Sequence, residues 1–156
     1  YHEIDALMTT VSAPADVVEI RPATAMSIEV VGPFAAAAPT DATNLAWRAA
    51  EACGAVVAIR VHKGIPAGAG LGGGSADAAA VLTALGADPA VGATLGADIP
   101  FCMAGGAARV RGIGDRVEPV ALGSRTVVIA TPRLHCDTAA VYRAWDALGE
   151  IGRAHV

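Results

Sequence analysis

The densest group of residues able to do chemistry lies between residues 63 and 76. The stretch Pro66-Ala67-Gly68-Ala69-Gly70-Leu71-Gly72-Gly73-Gly74-Ser75-Ala76 follows a β-branched apolar run at 55–61 and precedes an alanine-rich helical pattern. Closely spaced glycines let backbone N–H groups converge on one concavity, where Cβ atoms would block both the φ values and the approach of a ligand. A helix start adds unpaired N–H donors and the positive end of a macrodipole. Together these form an anion site, most often for phosphate. A Walker loop is excluded, because Gly74, and not lysine, precedes Ser75. The Rossmann pattern matches formally at Gly68, Gly70 and Gly73. However, residues 62–67 separate the strand from the first glycine, and the ribose-binding acid would fall near Asp88 or Ala93, in a helical region. A Pro-x-x-x-Gly-Leu-Gly-Gly-Gly-Ser-Ala loop is met without adjustment. A flexible connector is the bland alternative, disfavoured because the glycines sit between a strong strand and a helix.

Phosphoryl transfer also needs charge compensation and a group to take the acceptor's proton. Asp98, in Gly96-Ala97-Asp98-Ile99-Pro100, is the candidate base; its apolar surroundings predict partial burial, and a turn or helix-end Asp is the alternative. Ser75 reads as the N-cap of the following helix, with a hydroxyl that can also approach Mg²⁺ or a phosphate oxygen. Asp77 reads as a first-turn residue suited to the helix dipole and unsuited to phosphate. Lys63, the only lysine, reads as a solvated turn residue more than as a nucleotide contact. Tyr1, His2 and Tyr142 could stack on and hydrogen-bond a flat base, with ordinary packing an equal alternative for Tyr142. No histidine has a partner at metal-ligand spacing.

These segments resemble the GHMP kinases, and the match extends beyond the loop. The 66–79 stretch resembles their ATP loop. Tyr1-His2-Glu3, Asn44-Leu45 with Arg48-Ala49-Ala50, Leu95-Gly96-Ala97-Asp98-Ile99-Pro100-Phe101 and Gly112-Ile113-Gly114 resemble further family segments, in family order to about Trp145. The resemblance is greatest to the branch acting on a cytidyl diphosphate sugar alcohol. It implies ATP-dependent phosphorylation of that substrate's 2-hydroxyl in non-mevalonate isoprenoid precursor synthesis, with ATP and Mg²⁺. By resemblance Asp98 is the catalytic aspartate. Residues 66–76 bind ATP. Tyr1 and Tyr142 stack on the base, Thr138 stands at the family spacing before Tyr142, and His2 bonds the cytosine edge. Other members acting on homoserine, mevalonate or galactose are the alternative, then a nucleotide-binding fragment without catalysis, and last a dinucleotide-dependent oxidoreductase. The family also carries a lysine on a strand before Tyr1, which this sequence does not contain. The 85–95 stretch is shorter than the family's. Residues 1–148 are expected to form the family's N-terminal domain without its first strand, with the next domain starting at about 133–148. Residues 151–156 are expected to be a non-native tail.

The elements that must position these residues read as mixed. Strands are expected at 4–11, 16–21, 26–31, 55–61, 99–103, 107–110 and 126–130. Helices are expected at 45–53 (capped by Thr43 or Asn44), 75–85, 89–95 and 137–148. This order predicts an α+β fold, and the resemblance implies the GHMP kinases' N-terminal form of it, a split βαβ unit with a two-layer sheet plus helices. The chain has 156 residues, 54% hydrophobic but only 4% aromatic, with 37 alanines, so its core must be built from small side chains. That content excludes a disordered chain, and no apolar run reaches membrane-spanning length. A net charge of -4 offers no footprint for nucleic acid. Cys53, Cys102 and Cys136 form no pairing pattern, and no leader pattern opens the chain, so a reducing, cytoplasmic setting is expected.

Overall fold

A computed structural model describes residues 3–130 and 138–148. In chain order the elements are strands β1 (Ile4–Thr9), β2 (Val17–Pro22) and β3 (Ser27–Val31), helix α1 (Leu45–Ala52), strand β4 (Val57–His62), helices α2 (Gly73–Ala84), α3 (Pro89–Leu95) and α4 (Ile99–Ala104), strands β5 (Ala107–Gly112) and β6 (Arg116–Pro119), and helix α5 (Thr138–Ala147). The α+β class holds, with the strands in two three-stranded sheets ordered β1-β5-β6 and β2-β4-β3.

The second sheet carries the glycine loop. β4 is its centre, antiparallel to β2 and parallel to β3. A parallel neighbour needs a crossover, and α1 supplies it. Asn44 starts that helix by accepting from the Ala46 amide at 2.9 Å, so Asn44, not Thr43, is the cap. β4 alternates: Val57, Ile59 and Val61 are buried, while Arg60 faces solvent and pairs with Glu29 on β3. The buried face packs against Ala46, Ala49 and Ala50 of α1 and Ala78, Ala79, Val81 and Leu82 of α2. The alanine excess is used here. Side chains this small let two helices pack closely together on one sheet face.

The segment expected as a strand at 99–103 is helix α4. A short apolar run does not distinguish strand from buried helix. Pro100 lies in the first helical turn, where its missing N–H costs nothing, and Gly105 at φ +64° ends the helix. α4 joins the two cores: Ile99 belongs to the β2-β4-β3 core, and Phe101 packs with Ala108 and Val110 under the other sheet. β6, which the sequence reading did not identify, pairs with β5 across the turn at 112–115. Residues 126–130, expected as a strand, have no regular structure and are exposed, with Val128 93% accessible. No strand among the described residues lies beside them to satisfy a ladder.

Candidate functional site

β4 delivers the chain into the glycine loop, and α2 takes it out. Gly68, Gly70 and Gly72 adopt φ of +72°, +71° and +66°. A Cβ at these three positions would meet nothing within 4 Å, so backbone conformation and not space demands glycine there. Gly72 is the N-cap of α2, which starts at Gly73, so the expected cap at Ser75 is corrected. The left-handed glycine turns the chain into the helix three residues earlier than a cap at Ser75 would. Ser75 therefore lies in the first turn, and no side chain caps the helix, whose first N–H groups remain available as donors.

Two cavities meet at this loop. A larger one, of about 780 Å³, is lined by every residue from Pro66 to Ser75, by Asn44 and by Val141 of α5. A smaller one, of about 500 Å³, is lined by Gly70, Leu71, Gly72, Ala76 and Asp98, with Thr9, Thr10 and Cys102. Gly70, Leu71, Gly72 and Asp77 border both. The loop is thus the partition between them, and the aspartate singled out from sequence opens onto its far side.

Asp98 occupies the N-cap position of α4, but its side chain makes no capping bond. It is exposed and not partly buried as expected, because α4 turns its apolar residues into the cores and leaves the preceding residue at the cavity rim. Burial and the adjacent Asp98 charge push the Cys102 thiol up to about 11, so this cysteine is no nucleophile near neutral pH. The Gly112-x-Gly114 turn supports the same segment. Gly114 has φ +106°, and a Cβ there would sit 2.5 Å from the Ala97 carbonyl oxygen, next to Asp98.

The largest departure from the sequence reading is Lys63. It is 5% exposed, not solvated. Its Nζ donates to Asp16 Oδ2, and to Asp77 Oδ2 at 2.8 Å. Asp16 also accepts at Oδ1 from the Gly64 amide (2.7 Å) and the Ile65 amide (2.8 Å). Burial raises the Asp16 carboxyl, but the bonds from Lys63 and these amides outweigh it and hold the group below its usual range. Burial opposes the Lys63 charge, yet its two aspartate partners leave its pKa raised. Burial pushes Asp77 up to about 6 despite the Lys63 bond, and its Oδ1 is buried without a hydrogen-bond partner. One ammonium cannot compensate two buried carboxylates. Asp16, with two extra N–H donors, keeps the charge, and Asp77 holds its proton more tightly. The sequence signal for this cluster was weak: a lone lysine at a strand end and two acids 47 and 14 residues away.

A stability consequence follows. Between about pH 4 and pH 6 the folded chain holds a proton on Asp77 that the unfolded chain releases, so Asp77 costs stability as pH rises through that window. Asp77→Asn is expected to remove that slope and to raise stability at pH 7 by at most about 3 kcal/mol. Urea unfolding midpoints of both chains from pH 4.5 to 7.5 measure it; parallel profiles would refute it.

Tyr1 and His2 lie outside the described residues. Thr138 begins α5 and Tyr142 lies on it, but the placement of their side chains is likewise outside what is described. Among the described residues no cluster of His, Cys, Asp or Glu could hold a metal ion, and no helix is long and apolar enough to cross a membrane.

Known proteins resemble this arrangement closely. Residues 44–88, spanning α1, β4, the glycine loop and α2, match the family model of the GHMP kinases N terminal domain. The 4-diphosphocytidyl-2-C-methyl-D-erythritol kinase of Paracoccus denitrificans is 41% identical over 145 residues, covering 92% of this chain and 52% of the relative. That of Jannaschia sp. is 41% identical over 154 residues, covering 94% and 55%. A crystal structure of 4-(cytidine 5'-diphospho)-2C-methyl-D-erythritol kinase superimposes with a TM-score of 0.69 at 38% identity, covering 92% of this chain and 56% of that one. The chain spans about half the length of the curated relatives it matches. Loop, topology and relatives agree: the chain carries the N-terminal domain fold of the GHMP kinases.

Proposed function

We propose that this chain supplies the nucleotide-binding and base-bearing part of an ATP-dependent kinase that phosphorylates the 2-hydroxyl of 4-diphosphocytidyl-2-C-methyl-D-erythritol. One observation carries the reading: the glycine loop borders two cavities, and Asp98 opens onto the one away from most of the loop's backbone. ATP fits the larger cavity, with the loop amides and the α2 N-terminus around its phosphates. The acceptor alcohol fits the smaller one. The γ-phosphoryl group then crosses at Gly70 to Gly72, the loop residues common to both, and Asp98 accepts the hydroxyl proton. The cytidyl substrate is favoured by the relatives' names and by Tyr1, His2, Thr138 and Tyr142 as base-recognising residues; a homoserine, mevalonate or galactose acceptor is the alternative.

Mg²⁺ is compatible with the residues present. With no cluster of acidic ligands among the described residues, a divalent ion would arrive on the nucleotide's phosphates, as Mg²⁺ commonly does. Ser75, in the first turn of α2, is the hydroxyl able to complete its shell. When bound, the ion neutralises phosphate charge. The residues of this chain orient the phosphates, keep the acceptor separate and take its proton. In this reading residues 1–148 are the family's N-terminal domain, the stretch at 133–148 begins the next one, and residues 151–156 are not part of the kinase.

A second reading, nucleotide binding without turnover by this chain alone, is favoured by Lys63. It is the only lysine and is held between Asp16 and Asp77. No lysine is then left to offset charge beside Asp98. A chimera completed with the flanking segments of the Paracoccus denitrificans relative separates the two. The expected result is phosphoryl transfer from ATP to the cytidyl substrate by the chimera, and ATP binding only by the 156-residue chain. No turnover by the chimera, or preference for another alcohol, would reject the substrate assignment.

The loop has its own test. Gly70→Val forces a β-branched residue into φ +71°, at a cost of about 1–2 kcal/mol or more in local strain, and places a side chain against the phosphates. ATP affinity is expected to fall more than about tenfold with only a modest shift in urea midpoint. Unchanged affinity would reduce the loop to a connector.

A further inference from the structure

The glycine loop is flexible in composition, yet an anion cradle must hold its amides in place before the ligand arrives. Its two ends are tied to a short segment distant in sequence, Ala15-Asp16, which leads into β2. At the strand end, Asp16 Oδ1 accepts from the Gly64 and Ile65 amides, and a Cβ on Gly64 would overlap the Ala15 carbonyl. At the helix end, a Cβ on Gly73 would lie 3.3 Å from Asp16 Oδ2 and 3.1 Å from Ile65. Lys63 joins the ends a second time by bonding Asp16 and Asp77 of α2. The side chains of all three charged residues are no more than 6% exposed.

We propose that Asp16 is a positioning residue for the glycine loop: its carboxylate, held by Lys63, fixes both ends of the loop and so pre-forms the phosphate cradle. The inference deepens the kinase reading and rests on it for the identity of the ligand. Asp16 acts through backbone amides. The loop's glycines have the φ freedom to collapse, and a buried, multiply bonded carboxylate removes that freedom at its root. An exposed ion pair such as Asp5–Arg109 on the other sheet has no such lever.

The test uses the 156-residue chain and two readouts, amide hydrogen exchange over residues 64–72 and titration with MgATP. Asp16→Asn keeps an acceptor for the two amides but loses the charge held by Lys63. Asp16→Ala loses both. Exchange over 64–72 is expected to rise in the order parent, Asn, Ala, by about tenfold or more for Ala, and more than over β4 or α1. The Kd for MgATP is expected to rise in the same order, and Asp5→Asn should leave both readouts within about twofold. Should Asp16→Ala fail to fold, the isosteric Asn variant carries the comparison. Loop exchange and Kd both within about twofold of the parent in Asp16→Asn would overturn the proposal. Loss of loop protection in a chain whose parent binds no MgATP would instead overturn the kinase reading and leave the bracing of the loop supported.

Discussion

Asp98→Asn is expected to lower kcat for phosphoryl transfer by about 10²–10⁴-fold in the completed chimera, the range spanned by removal of a positioned general base. The geometry predicts how that loss divides. Asp98 lies at the rim of the smaller cavity, across the loop from the larger one. The Kd for ATP should therefore move by no more than about threefold. Stability should hardly move either, because the side chain is exposed and makes no capping bond to α4. Steady-state kinetics, ATP titration and urea unfolding on the same variant test all three. Turnover within about tenfold of the parent would assign the proton to another group. A loss of folding would make Asp98 a structural residue of α4.

Lys63→Met is expected to be the most destabilising single change in the loop region, by about 3–5 kcal/mol at pH 7. The methionine matches the lysine's length but leaves Asp16 and Asp77 facing one another without a cation. Desolvated carboxylates in that position must take up protons, so the deficit should shrink as the solution is acidified toward pH 5. The wild-type chain supplies the contrast. Its raised Lys63 pKa contributes stability at every pH below the ordinary lysine value, and this is lost only in strong base. Its lowered Asp16 pKa contributes stability above the ordinary aspartate value that is lost on acidification below it. Urea unfolding of both chains at pH 5 and pH 7 gives the measurement. A deficit within about 1 kcal/mol at pH 7 would place Lys63 among ordinary surface ion pairs.

The site was legible in unequal parts. The glycine loop could be read from its residues because its requirements are local: three glycines take left-handed φ whatever surrounds them. Its exit lies three residues before the serine, since a serine in a helical first turn has the composition of a cap but Gly72 makes the turn. Asp98 was legible as a candidate, yet its exposure was not, because the neighbouring Ile99 turns into a core supplied by other elements and Pro100 is buried beside it. Reading 99–103 as a strand has the same origin: five apolar residues in a row fit either element, and only the packing of Ile99 and Phe101 against two different sheets decides.

Lys63, Asp16 and Asp77 mark the boundary most clearly. From sequence alone Lys63 is a polar residue at the end of a strand, Asp16 opens another strand, and Asp77 suits a helix dipole. Their burial depends on β2 lying beside β4 and on α2 lying over the same sheet, a matter of long-range pairing that no local pattern encodes. Local pattern alone was enough for features tied to backbone conformation: a loop of left-handed glycines, the start of α1 at Asn44 and the alternating strand β4, all set by contacts a few residues apart. Which charges meet and which stay in water was set by long-range packing. Desolvation depends on everything that packs around a group, and here those partners come from segments up to 49 residues apart.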